Sequence, residues 1–209
     1  GGEVTDSEGL TVNIDPNSIA DGYQGDIQIF TNYVDPTTTS GALEIPGLEA
    51  INLANEQGVL RSFGMGQIEL EDPNGNSLSI ADGSPAEISI PVPASISTMA
   101  QPEIPLWTFD ESQGIWLEES SATLDNGAYV GDVSHFSWWN ADLFECGIVR
   151  NVQLGCGEDP LANVTVEFTF EGMNVPAAVA TTSSTGTISQ AVPCDTELEV
   201  TFINPAVSQ

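Results

Sequence analysis

The stretch Trp107–Asp142 reads WTFDESQGIWLEESSATLDNGAYVGDVSHFSWWNAD. It holds every tryptophan of the chain (Trp107, Trp116, Trp138, Trp139) and the only histidine, His135. Phe109, Tyr129 and Phe136 lie in it too. A large aromatic ring buries on the order of 150–250 Å², so rings gathered in one segment mark where a core closes. Three short runs within or at the edge of the stretch read as strands: Leu106–Phe109, Ile115–Leu117 and Ala128–Val130. Turn residues separate them at Asp110–Gly114 and at Asp125-Asn126-Gly127.

Upstream, apolar residues alternate with polar ones at Leu10, Val12 and Ile14, at Ile27 and Ile29, and at Ile88, Ile90 and Val92. Period two is the signature of strands with one face on a core and one in water. Ile68 and Leu70 return as Leu78 and Ile80 through Asn74-Gly75, which predicts a hairpin. Thr37–Ser40 reads as loop, and residues 48–60 hold at most one irregular helical turn. No amphipathic helical pattern of about ten residues or more occurs. The chain is therefore all-β, and short, regularly spaced strands favour a sandwich. After Asp142 a new alternation begins, with Val164, Val166, Phe168 and Phe170, then Leu198, Val200 and Phe202. Two consecutive β-sandwich domains are expected, over residues 1–143 and 144–209. At roughly 65 residues the second is small enough that a disulfide would help it stand alone.

The chain has 209 residues, with 31 acids against two basic residues, Arg61 and Arg150, for a net charge of -29. Such a surface repels nucleic-acid phosphates and anionic lipid. It suits a saline medium, where the Debye length falls to roughly 3 Å at 1 M salt. It also suits water rich in divalent cations. No cofactor is implied, and calcium is the ion these acids are fitted to gather. No apolar run reaches the 18 or so residues that cross a bilayer, so direct membrane insertion is not expected. The abrupt start at Gly1-Gly2 reads as a piece of a longer chain.

Cys146, Cys156 and Cys194 fit no zinc spacing, and a second histidine is missing. One disulfide with a spare thiol is the natural arithmetic of an exported protein, and spacing alone leaves the pairing open.

Residues 1–142 resemble a β-sandwich domain of large secreted or surface proteins of Bacteroidota. The stretches SFGMGQIELEDPNGNSLSIADGSPAEISIPVPA, IPLWTFDESQGIWLEE and YVGDVSHFSWWNAD carry that likeness. The opening GGEVTDSEGLTVNIDPNSIADG is similar to the first strands of the ZU-five fold. Residues 146–205 resemble the carboxypeptidase-regulatory, transthyretin-like sandwich, through Asp159–Val164 and the Thr181-Thr182…Gly186 hairpin. That second resemblance implies a Cys156–Cys194 disulfide. Together the resemblances imply an extracellular or cell-surface protein with a structural or adhesive role. Its partners would be neighbouring domains, copies of itself or surface glycans.

His135-Phe136-Ser137 is the one tripeptide with a chemical reading. It matches the self-cleavage site of some proteins that carry the ZU-five fold. By that resemblance Ser137 is the nucleophile, His135 the general base and Phe136-Ser137 the scissile bond. The plainer reading is packing, with Phe136 and Trp138 on one face of a strand and His135 and Ser137 on the other. Asp72, Asn74 and Asn76 have the spacing of calcium ligands but lack the closing acid, and a hairpin turn explains them equally. Glu118-Glu119 reads as solvated. Exposed tryptophans would make the domain a carbohydrate-binding module.

Overall fold

The computed structural model describes residues 1–170 and 177–203 and is built almost wholly of strands. The first strands are β1 (Gly2–Thr5), β2 (Thr11–Ile14) and β3 (Gln28–Val34). A short helix α1 (Thr39–Glu44) follows, then β4 (Glu49–Ile51), β5 (Gln57–Glu71) and β6 (Ala86–Pro91). The aromatic stretch supplies β7 (Glu103–Asp110), β8 (Ile115–Asp125), β9 (Ala128–Val133) and most of β10 (Trp138–Glu145). These ten strands form one sheet, in the order β1-β2-β6-β9-β8-β4-β5-β10-β7, with β3 on the far half of β5. Because β7 also pairs with β8, the strands β4, β5, β10, β7 and β8 close on one another.

Alternation works where one face is wet. On β2, Val12 and Ile14 are sealed while Thr11 and Asn13 stay half-exposed; on β6, Ala86, Ile88 and Ile90 are all sealed. It fails on β5, whose residues Gly58–Leu60 and Ser62–Gly66 are buried without interruption, because both of its faces are covered. Leu106 on β7 enters the main cluster, with Phe63, Tyr129 and Trp139. Its neighbour Trp107 enters a second cluster, with Val34, Ala50, Leu60, Met65 and Trp116. Successive side chains of a strand point to opposite faces, so β7 divides two cores. The aromatic stretch thus closes two apolar volumes.

Beyond residue 145 come β11 (Gly147–Gln153), β12 (Gly155–Cys156), β13 (Asp159–Pro160) and β14 (Thr165–Phe170). β15 (Ala178–Thr181), β16 (Thr187–Pro193) and β17 (Leu198–Ile203) complete the described chain. They make three small sheets: β11 with β16, β12 with β13, and β15-β14-β17. Val166, Phe168, Phe170 and Val192 belong to the same core cluster as Phe63 and Trp139, so apolar contact runs across residue 144 without a break. Arg61 sits at this crossing, paired through Nε with Glu145 at 2.9 Å and lying over the Phe170 ring. Gly147 is required there by space, since a Cβ on it would stand 2.7 Å from Val59 Cγ1.

Two local expectations are corrected. Residues 39–44 form a helix rather than loop, because the Thr38 hydroxyl caps it by accepting the Gly41 N–H at 3.0 Å. Residues 48–60 hold no helix. β4 turns into β5 there, around an Asn52 side chain that accepts the N–H groups of Ala54 and Glu56.

Candidate functional site

The tripeptide His135-Phe136-Ser137 lies between β9 and β10, outside both strands. That irregular link shifts the phase of β10. Trp139 is the fully buried ring, and Trp138 is only half-buried, the reverse of the alternation expected from the sequence. The His135 Nε2 bonds both oxygens of Glu119 on β8, at 3.1 and 3.2 Å. Its ring lies 5.0 Å from that of Trp139, and its carbonyl accepts the Trp139 indole N–H at 3.1 Å. The Ser137 hydroxyl pairs with that of Thr108 on β7 at 2.8 Å, and the Ser137 carbonyl accepts the Ile68 N–H. His135 and Ser137 thus take different partners. No left-handed backbone angle falls between residues 134 and 139. Glu119 and Thr108 were invisible as participants in the sequence, because their roles depend on which strands meet.

Further along β10 is a buried polar network that the sequence does not signal. Ser62, Asn140 and Asp142 are all buried, Asp142 completely. The Ser62 hydroxyl donates to Asn140 Oδ1 at 2.8 Å, the Asn140 amide donates to Asp142, and the Phe63 N–H reaches Asp142 Oδ1 at 3.3 Å. The Asp142 carbonyl accepts the Trp107 indole N–H at 3.0 Å. Burial pushes the Asp142 carboxyl well above the ordinary carboxylate range, against the hydrogen bond from the Phe63 N–H, which pulls it down. A bulge in β10 between Asn140 and Asp142 turns this group inward.

The Asp72 loop is a turn cap. Asp72 Oδ1 accepts the N–H groups of Asn74 at 2.7 Å and Asn76 at 3.0 Å, and Oδ2 accepts the Asn76 side chain at 2.8 Å. Both carboxylate oxygens are therefore engaged within the hairpin. No group of three His, Cys, Asp or Glu side chains suited to an ion occurs among the described residues. Asp110 caps its own turn in the same way, through the N–H and hydroxyl of Ser112. These bonds hold the carboxyls of Asp72, chiefly through Asn76, and of Asp110, chiefly through Ser112, to about 2. An acid depressed on folding stabilises the fold above its unfolded value, near 3.9, and loses that contribution as pH falls through its folded value. Urea midpoints are expected to fall between about pH 4 and about pH 2, and more gently in an Asp72→Ala, Asp110→Ala double variant. An equally steep fall in the double variant would remove the turn caps from the account of acid unfolding.

Trp107, Trp116 and Trp139 are completely buried, so three of the four rings offer no face to a sugar. The second resemblance paired Cys156 with Cys194. All three cysteines are thiols here, with Cys156 on β12 and the Cys194 N–H donating to the Cys146 carbonyl at 2.9 Å. Glu118, read as solvated, accepts the Leu53 N–H at 3.0 Å.

The chain matches no family model, no curated protein and no solved structure.

Proposed function

We propose that this chain is a non-catalytic structural or adhesive segment of a large secreted or cell-surface protein, made of two consecutive β-sandwich domains. The observation that carries the reading is the core cluster shared by Phe63 and Trp139 on one side of residue 144 and Phe168 and Val192 on the other. Such continuity suits a stiff spacer better than beads on a flexible linker. The chemistry-bearing side chains fit the same reading, because His135, Ser137, Asp72 and Asp110 are each engaged in holding a strand link or a turn. The acidic surface suits salty or calcium-rich surroundings. Partners are neighbouring domains, copies of the same protein or surface glycans. An antibody against the chain should label intact, unpermeabilised cells or their medium. Labelling only after permeabilisation overturns the location.

Self-processing at Phe136-Ser137 is the alternative, and intact mass decides it. Purified, reduced and denatured protein is expected to give a single species at 22.0 kDa. Two pieces meeting between Phe136 and Ser137, abolished by Ser137→Ala, would replace the structural reading with autoproteolysis.

A further inference from the structure

Cys146 is the single residue between β10, which ends at Glu145, and β11, which starts at Gly147. Cys194 is the residue that follows β16. The antiparallel register of β11 and β16 pairs Gly147 with Pro193, so its next step places Cys146 opposite Cys194. The Cys194 N–H donates to the Cys146 carbonyl at 2.9 Å, which extends the ladder by that step. Side chains directly opposite on an antiparallel pair have Cβ atoms about 4.5–5.5 Å apart, and disulfides need about 3.5–4.5 Å, so only a slight closing is required. The neighbouring Cys146 side chain is the main reason the Cys194 thiol is pushed up to about 11. Cys156 stands on another ribbon, paired with Asp159.

We infer that Cys146 and Cys194 form a disulfide that staples the end of β16 to the link between β10 and β11. Cys146 is exposed and Cys194 half-exposed, so a small oxidant reaches Cys146 first. With a low-molecular-weight disulfide as oxidant, the Cys146 thiolate attacks one of its sulfurs and expels the other half as a thiolate. The Cys194 thiol then loses its proton and attacks Cys146 Sγ, and the second half leaves. Two protein thiols are oxidised, and one small disulfide is reduced to two thiols. The staple closes residues 147–193 into a loop. Tension entering from β10 then passes through sulfur to Asp195 and bypasses most of the smaller sheets. Glu145, next to the staple, is already anchored by Arg61.

The two arginines make the test direct, because the chain has no lysine and trypsin cuts only after Arg61 and Arg150. Full-length protein is incubated with oxidised glutathione, free thiols are alkylated under denaturing conditions, and the protein is digested without reductant. Fragments 62–150 and 151–209 should travel together, separate on reduction, remain joined in Cys156→Ser and come apart in Cys194→Ser. The oxidised protein should also melt roughly 10 °C above the reduced one, as expected for a loop of this length. Separate fragments in the oxidised wild type overturn the proposal, and a Cys156–Cys194 bond gives that result because both residues lie within 151–209. A link that survives Cys194→Ser overturns it too, in favour of Cys146–Cys156.

Discussion

Trp107→Ala is expected to lower the unfolding free energy by about 4 kcal/mol, measured by urea denaturation at fixed ionic strength. The ring is completely buried in the second cluster and stacks on Phe144 with centroids 5.7 Å apart. Its removal leaves a cavity bounded by Leu60, Met65 and Trp116, residues held on strands that close on one another and cannot easily collapse inward. It also leaves the buried Asp142 carbonyl without the indole donor. Trp138→Ala is the internal control, since that ring is only half-buried and packs at the margin of the same cluster. Its loss should be less than half as large. Equal losses would mean that the second cluster is not a separate core.

Asp142→Asn is expected to make the protein more stable than wild type near neutral pH, with the difference vanishing in acid. The Asp142 carboxyl is raised on folding, first by burial, so the folded state keeps a proton that the unfolded chain releases. The stability linked to that proton is complete below the unfolded value near 3.9 and is lost as pH rises through the folded value. Over that window wild type should fall behind the variant by up to about 1.4 kcal/mol for each pH unit. The amide keeps an acceptor for the Phe63 N–H. Turning Asn140 about its last bond then presents its oxygen to the new NH2 and its own NH2 to the Ser62 hydroxyl, so each buried group retains a partner. Asp142→Ala has no such remedy and should be less stable than Asp142→Asn at every pH, by about 2 kcal/mol or more. Parallel pH profiles for wild type and Asp142→Asn would mean that the buried carboxyl does not titrate with folding.

The class of fold was legible because a half-buried strand writes its two faces into alternate residues. Val12 and Ile14 on β2, or Ile88 and Ile90 on β6, could be read directly. The same rule is silent on β5, where both faces are covered and Gly58, Gly64 and Gly66 admit neighbouring atoms that side chains would exclude. It misplaced Trp138 and Trp139 because a few irregular residues before β10 reset the count. The site was legible only in its local parts. Asp72 and Asp110 lie beside the residues they cap, whereas the partners of His135 and Ser137 come from strands 16 and 29 positions away. Cys194 is harder still, since its neighbour is set by the register of two strands with no nearby signal.

The order in which the chain emerges matters because β10 lies between β5 and β7. Before residues 138–145 are available, those strands have no common partner, and Leu60, Met65 and Trp107 lack the strand that encloses them. An early piece of this chain is therefore a set of hairpins with sticky rims, and closure waits for one late insertion. Contacts so distant in sequence make for slow folding and a prolonged interval in which aggregation competes. The high negative charge keeps nascent copies apart during that interval, so its value lies as much in the minutes before the protein folds as in the water it later meets.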